Sequence, residues 1–430
     1  MIRTSKHTTK FTNTGKKHNL ALFVDEYRRV AQLLMGHIWT NGYQWEHKGE
    51  AQEFNISANK LFLPGMLLSG VAQQAGIETF LTGRALKCCM TQVASEIKAE
   101  VHKQAKRLFM LTKLKNEGQN RSKRQQLIKR IKQNIPVKLD CSKMCPELNS
   151  ICCNFQEVKS AEFDGVLRIT SITKTKIDIK VPIKFTRHSR KLQRKGTLKN
   201  SFLIRDDSID FRWELPTVSK RTKGKVVGAD QGLRNVLTLS DGQVTTKVDA
   251  HGHTLHSIAQ KLTRKKKGSK AFAKAQSHRV NFVNWSVNQL NLRDIKQINL
   301  EQIWHIGFKT KTSRFLRHWT NTTIRDKVEA IGEELGVQVT HQSSTYRSQR
   351  CSGCGVVRKA NRKGEKFECS NCGLVLCADL NASLNHAVQL PEIPWTFREL
   401  KKNRKGFFWK KSGLFDLNGT SLQSVLHAKA

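Results

Sequence analysis

The chain has 430 residues and carries 76 Lys and Arg against 34 Asp and Glu, a formal charge of +42, which is length enough for two or three domains with their own cores. That excess runs through the whole chain and repels itself unless a polyanion neutralises it, so the expected partner is nucleic acid, held through phosphate neutralisation and counterion release. No apolar run approaches the ~18–20 residues of a spanning helix, and Met1 to His7 carry no signal-peptide core, which argues against a membrane protein and for a cytoplasmic one.

The first 18 residues are polar and basic, with a first strand expected at Thr8 to Thr12. From Asn19 the pattern turns helical: Leu20, Phe23, Val24, Tyr27, Val30 and Leu34 recur at three- and four-residue steps. Pro64-Gly65 breaks it, and Met66 to Met90 is apolar at helical spacing. Residues 94–133 read as a long basic helical stretch, interrupted near Asn116 to Asn120. Val101, Leu108, Leu111, Leu114, Leu127 and Ile131 face a core, and Lys98, Lys103, Lys106, Arg107, Lys113, Arg121, Lys123, Arg124, Lys129, Arg130 and Lys132 have few acids to pair with. A phosphate-facing surface is the reading preferred over a solvated face.

Period-two runs take over after Pro136, at Val166 to Thr170, Lys176 to Lys184, Ser201 to Ile204 and Ser208 to Leu215. They predict a small antiparallel barrel or sandwich with basic loops such as Arg187 to Lys195. A helical block between a first strand and the remaining strands is the order of a β domain with a helical insertion. Arg221 to Lys225 links it to a mixed α/β region. There Lys225 to Asp230 is a short apolar strand ending in an acid, Val236 to Leu239 a second strand, and Val244 to Val248 a third, turned at Ser240-Asp241-Gly242. Residues 254–291 are helical, Ile295 to Leu300 is a buried strand ended by Glu301, 313–335 is a helix stopped by Gly336, and Val337 to Thr340 is a strand. Asp379 to Ala387 forms a last helix.

A hairpin sheet followed by helix, strand and helix is the ribonuclease H-like order, in which acids at strand ends and on a late helix converge at one sheet edge. Phosphodiester cleavage is commonly run by two hard cations about 4 Å apart, and carboxylates suit Mg²⁺. Asp230 is assigned as the ligand bridging two Mg²⁺ ions, Glu301 holds the first ion and orients the attacking water, and Asp379 completes the second site. Each acid alone could be a turn or cap residue. Acids ending two apolar strands, with a third just beyond a metal-binding module, favour the catalytic reading.

That module is Cys351, Cys354, Cys369 and Cys372, spaced C-x2-C-x14-C-x2-C, with Gly355 and Gly373 after the two knuckles. Four thiolates around one tetrahedral ion are a structural zinc site with no position open for water, and the ion folds an insert too small for a core of its own. Cys377 is expected to be a packed thiol. The chain has 11 cysteines, an odd number, which fits a reducing compartment. A second metal site at Cys141, Cys145 and Cys152 is the weaker alternative to packed thiols. Arg347, Arg350, Arg358, Lys359, Arg362, Lys363 and Lys366 give the insert a positive surface. Trp213, Trp285, Trp304 and Trp319 could stack on bases, although core packing is the simpler reading. The segment Arg398 to Lys411, with Phe407, Phe408 and Trp409, is a basic tail that binds nucleic acid or stays disordered.

Gly228-Ala229-Asp230-Gln231-Gly232-Leu233-Arg234-Asn235, Asn299-Leu300-Glu301, Ser348-Gln349-Arg350-Cys351, Cys369-Ser370-Asn371-Cys372 and Ala378-Asp379-Leu380-Asn381-Ala382 together resemble the RuvC and zinc-ribbon segment of TnpB proteins, the transposon-encoded RNA-guided nucleases ancestral to compact type V CRISPR effectors. The match covers about residues 225–388; upstream it is architectural. Gln231 and Ala229 depart from residues often found in the family, and nothing beyond Pro391 matches. The resemblance implies a multidomain α+β and α/β chain: a wedge-like β-barrel at 1–18 and 137–220, a helical recognition lobe at 19–136, a RuvC (ribonuclease H-like) nuclease domain at 221–345 and 377–390, a zinc-ribbon insert that binds the target nucleic acid at 346–376, and a basic tail at 391–430. It further implies one structured guide RNA per protein, recognition of a short motif beside the target, and cleavage of double-stranded DNA in a prokaryotic cell. Asp230, Glu301 and Asp379 fall on the family's acidic triad and the four cysteines on its zinc positions. The origin of the guide, a transposon end or a CRISPR array, stays open, and a non-cleaving repressor is the alternative that the three retained acids oppose.

Overall fold

A computed structural model describes residues 1–41, 45–48, 51–54, 75–116, 124–129, 139–170, 172–174, 178–303, 315, 321–393 and 406–422. The Pro64-Gly65 break, the interruption at Glu117 to Asn120, Trp304, Trp319 and the tail from Arg398 to Lys405 lie outside them. The chain divides into two units, Met1–Pro216 and Thr217–Ala430.

In the first unit, β1 (Ile2–Thr8) precedes the long helix α1 (Thr14–Asn41). The strand thus lies earlier than the Thr8 to Thr12 segment expected. A hairpin, β2 (Trp45–Lys48) and β3 (Ala51–Phe54), and the helix α2 (Gly83–Asn116) follow. Helix α2 begins only at Gly83, so residues 75–82 of the stretch expected as helical up to Met90 are not helix; from there it continues without a break into the basic stretch beginning at residue 94. The β part comprises β4 (Glu147–Asn149), β5 (Cys153–Glu157), β6 (Gly165–Ile169), β7 (Ile179–Ile183), β8 (Thr197–Ile204) and β9 (Ser208–Glu214). One sheet has the order β1-β9-β8-β4 and the other β5-β6-β7. Pro182 is tolerated because β7 is an edge strand.

The expected apolar stripe of α1 (Leu20, Phe23, Val24, Tyr27, Val30 and Leu34) is buried in one core with Leu167, Phe202, Phe211 and Trp213 from the sheets. Helices and strands therefore share a core within this unit. Trp213 is a core residue, its indole donating to Ser5 Oγ at 2.8 Å. The basic segment expected as a loop is instead a helix, α3 (Arg187–Lys195). Thr186 and Ser189 form a reciprocal cap at its start and Leu192 anchors it in the core.

The second unit is built on a sheet of order β11-β10-β12-β13. It comprises β10 (Lys225–Gln231), β11 (Leu237–Leu239), β12 (Ile295–Gln302) and β13 (Gln338–Ser343). Strand β11 is antiparallel to β10, and β12 and β13 run parallel to it. Residues Val244 to Val248 make one bridge, Val244 to Thr238, and no third strand. The helices α4 (Leu255–Thr263), α5 (Lys270–Val287) and α6 (Asn321–Leu335) make the crossovers that parallel pairing requires. Thr254 and Ser269 cap α4 and α5. Val227, Ala229, Leu237, Ile298 and Leu300 form the core against Phe282, Val283, Ile324 and Val328.

The cysteine module is made of β14 (Val356–Val357), β15 (Arg362–Lys363), β16 (Lys366–Glu368) and β17 (Val375–Cys377), and leads into helix α7 (Ala378–Ala387). Residues 406–422 are no loose tail. Strands β18 (Phe407–Lys410) and β19 (Gly413–Phe415) join β14 in a three-stranded sheet. Phe407, Trp409 and Leu414 pack against Val357, Leu390 and Ile393, and alternating side chains of a short strand are enough to bury one face. Among the described residues, no helix is long and apolar enough to cross a membrane.

Candidate metal centre and nucleic-acid face

Asp230 and Glu301 each stand one residue before the end of a strand, on β10 and β12, which are neighbours in parallel register. That topology brings two acids 71 positions apart in sequence to one sheet edge. Gln231 ties the strand ends together: its side-chain amide donates to the Glu301 carbonyl at 2.7 Å and its backbone N–H to Glu301 Oε2 at 3.3 Å. Helix α7 packs across β10 so closely that a Cβ on Gly228 would lie 2.0 Å from the Ser383 carbonyl oxygen. Its first turn carries Asp379, placed where the helix dipole favours an anion. Asp379 accepts from Arg362 at 3.2 Å and from the Asn235 amide at 3.4 Å.

Burial, followed by the charges of Glu301 and Asp379, pushes the Asp230 carboxyl well above the usual carboxylate range. Burial likewise pushes Glu301 up to about 7, opposed by the Gln231 N–H and by Arg362. Carboxylates crowded out of water in this way retain protons unless a cation neutralises them. The donor set fits hard divalent cations by its chemistry, with anionic oxygens converging on one edge.

One contributor was not read from the sequence. The metal-binding atoms of Asp230, Glu301 and His386 all lie within 4.8 Å of one another, whereas Asp379 is not part of that group. His386 is seven residues beyond Asp379, two helical turns, and so shares its face of α7. Its imidazole is 1% exposed, and burial together with Arg347 lowers its pKa to about 3. Helical spacing from Asp379 was the only signal for it in the sequence.

The four thiols of Cys351, Cys354, Cys369 and Cys372 also lie within 4.8 Å of one another, with Cys351 and Cys372 sulfurs 3.6 Å apart and Cys354 and Cys369 sulfurs 3.6 Å apart. Thiolates around one zinc ion at ~2.3 Å stand about 3.8 Å apart, so the set fits that ion. The two knuckles repeat one fold. Gly355 N–H donates to the Cys351 carbonyl and Gly373 N–H to the Cys369 carbonyl, each at 3.0 Å, and both glycines adopt positive φ, 81° and 73°. Cys377 is exposed and stands outside the group.

Two of the arginines expected on the positive surface are inside. Arg347 donates to the carbonyls of Ser343, Asn385 and Val388, and Arg350 to those of Trp409 and Cys351. Asn381 and Asn385 complete this clamp from α7: both donate to the Arg350 carbonyl, and Asn381 accepts from the Ser352 N–H. One side of α7 thus holds the cysteine module and another faces the carboxylates. Lys359, Lys363 and Lys366 remain exposed on the module, and Trp285, at 38% exposed, is still accessible for stacking. A cavity of about 480 Å³ opens beside Glu301, lined by Gln231, Gln302, Asn321, Arg325, Glu329 and His341.

Residues 322–386 match the Cas12f1-like TNB domain. The chain is 42% identical over 95 residues to the CRISPR-associated endodeoxyribonuclease Cas12f1 of Sulfoacidibacillus thermotolerans, covering 22% of this chain and 21% of that protein. It is 33% identical over 82 residues to a TnpB-like protein of Aquifex aeolicus (strain VF5), covering 18% of this chain and 27% of that one. These alignments span between a fifth and about a quarter of the relatives' own lengths. The fold is similar to that of the mini-RNA-guided endonuclease CRISPR-Cas phi3, with a TM-score of 0.51 at 9% identity over 90% of this chain and 92% of the other.

Proposed function

We propose that this chain, a member of the TnpB/Cas12f-like family with a Cas12f1-like TNB domain, is an RNA-guided DNA endonuclease. In this reading it binds one structured guide RNA, reads a short motif beside the target, and hydrolyses phosphodiester bonds of double-stranded DNA at a single RuvC-like site. The observation that carries the reading is the meeting of Asp230 and Glu301 on adjacent parallel strands beneath the helix that bears Asp379. The charge of +42 supports a polyanionic partner.

Asp230, Glu301 and Asp379 would hold Mg²⁺, with Asp230 shared between two ions. Bound divalent cations would activate water and stabilise the leaving oxygen. Glu301, fixed by both donors of Gln231, is positioned to orient a water on the cavity side. Cys351, Cys354, Cys369 and Cys372 would hold structural zinc, and the lysines of that module would guide a strand toward the cleft. Target sequence would be read by RNA–DNA pairing and the flanking motif by the protein.

The test is to purify the protein with its RNA, sequence that RNA, and assay cleavage of matched duplex DNA with divalent cations. One discrete RNA and metal-dependent cutting are expected. Asp230→Ala should keep the RNA and lose the cutting; undiminished cutting by that variant removes the assignment. The resemblance to both a Cas12f1 and a TnpB-like protein leaves two sources for the guide, a CRISPR array or a transposon end, and the recovered RNA sequence distinguishes them. A non-cleaving RNA-guided repressor would bind the target without cutting it.

A further inference from the structure

His386 has no role in the acidic-triad reading, yet it is set among those acids. A ring nitrogen of His386 lies within 4.8 Å of carboxylate oxygens of both Asp230 and Glu301. The residue is 1% exposed, and its Nδ1 has no hydrogen-bond partner. A buried polar atom left unpaired costs about 1–3 kcal/mol. A leucine would fill comparable space on a helix packed against Gly228 without that cost. A ring nitrogen held beside two carboxylates points to a ligand. The opposite face of α7 cannot supply one, because Asn381 and Asn385 spend their amides on the cysteine module.

Resting on the reading of this cleft as a metal site, we infer that His386 is a direct ligand, so that the centre is a mixed carboxylate–imidazole site. Ligand atoms on one ion stand about 3–4 Å apart, a range that the 4.8 Å limit on this group's separations includes. The consequence is metal choice. Mg²⁺ takes oxygen ligands almost exclusively, whereas imidazole nitrogen suits first-row transition ions. The site of Asp230, Glu301 and His386 therefore favours Mn²⁺ over Mg²⁺ more strongly than carboxylates alone would.

The test is pulsed electron paramagnetic resonance of Mn²⁺ added to the full-length, zinc-loaded protein. Modulation from ¹⁴N of a coordinated imidazole is expected, and it should change to the ¹⁵N pattern in protein labelled at histidine. The chain has 15 histidines, so the signal must be located: Asp230→Asn should remove the nitrogen-coupled Mn²⁺, and so should His386→Leu. His386→Leu should also weaken Mn²⁺ binding by roughly tenfold or more, the scale on which a group supporting a metal site changes affinity, while Mg²⁺ binding changes little. Mn²⁺ bound in the cleft without nitrogen coupling overturns the inference and leaves the carboxylate site standing. Mn²⁺ binding that ignores Asp230→Asn overturns both. If the His386 variant does not fold, the wild-type spectrum and its loss in Asp230→Asn still decide whether the cleft ion carries a nitrogen ligand.

Discussion

Arg362, on a hairpin of the cysteine module, donates to the carboxylate of Asp379 on the next helix at 3.2 Å. The same guanidinium pulls down the proton affinities of Asp230 and Glu301. A positive side chain thus offsets negative charge at the cleft where divalent ions are proposed to bind.

Arg362→Gln should therefore steepen the pH dependence of cation binding. Without the guanidinium the carboxylates hold protons more tightly, so binding near pH 6 falls. Near pH 8.5 protons compete less for the carboxylates, a competing cation is gone, and binding rises. Calorimetric Mn²⁺ titration at the two pH values checks this; an unchanged ratio between them would count against the electrostatic role.

Glu301 predicts how stability varies with pH. Its carboxyl titrates near 7 in the folded chain against 4.5 ordinarily, so between those values the folded state binds more protons than the unfolded one. Stability from this group is fully present below pH 4.5 and is lost as pH rises through about 7. Denaturant unfolding without added divalent ions should show this decline, and Glu301→Gln should flatten it. Adding Mg²⁺ or Mn²⁺ should stabilise the protein more at pH 8 than at pH 5.5.

Gly228→Ala tests the approach of α7 to β10. The new methyl would meet the backbone at Ser383 and Ala387, 2.0 Å and 2.3 Å away, and no rotamer change relieves a backbone clash. A loss of about 1–3 kcal/mol is expected from such overpacking, with lower cleavage because Asp379 moves with the helix. Thermal unfolding and a cleavage assay measure the two effects.

Cys354→Ser should reduce bound zinc from one equivalent per chain to none, measured by elemental analysis. Cys351 and Cys369 pack with Val356, Phe367 and Ala378 in a small core, so the loss should unfold the module and raise proteolysis within residues 351–377. Retained zinc would refute the four-cysteine ligand set.

Much of this organisation was legible because it follows from local pattern. The apolar run Ile295 to Leu300 reads as a buried strand and is part of one, and two Cys-x2-Cys knuckles read as one thiol group and converge as one. Where the reading failed, tertiary contacts decided. Arg347 and Arg350 look like surface charge until carbonyls of their own loop and of α7 enclose them. The basic run after Thr186 looks like a loop, and its cap and one leucine make it a helix. Phe407 and Trp409 need β14 as a partner before they have an inside. His386 shares a helix face with Asp379 by spacing alone, and it acquires neighbours only when α7 lies across Gly228.

The first strand finds its partner only at the far end of its unit: Ile2 to Thr8 align with Glu214 to Ser208. On a ribosome, β1 emerges early and must wait until more than two hundred further residues have been translated. Helix α1 can coil in that interval, but β7, the strand it packs on, also lies far along the chain. Closing such a distant pairing is slow and leaves apolar surface uncovered meanwhile. The amino-terminal half of this protein is therefore expected to depend on holding factors during synthesis more than the carboxy-terminal half does.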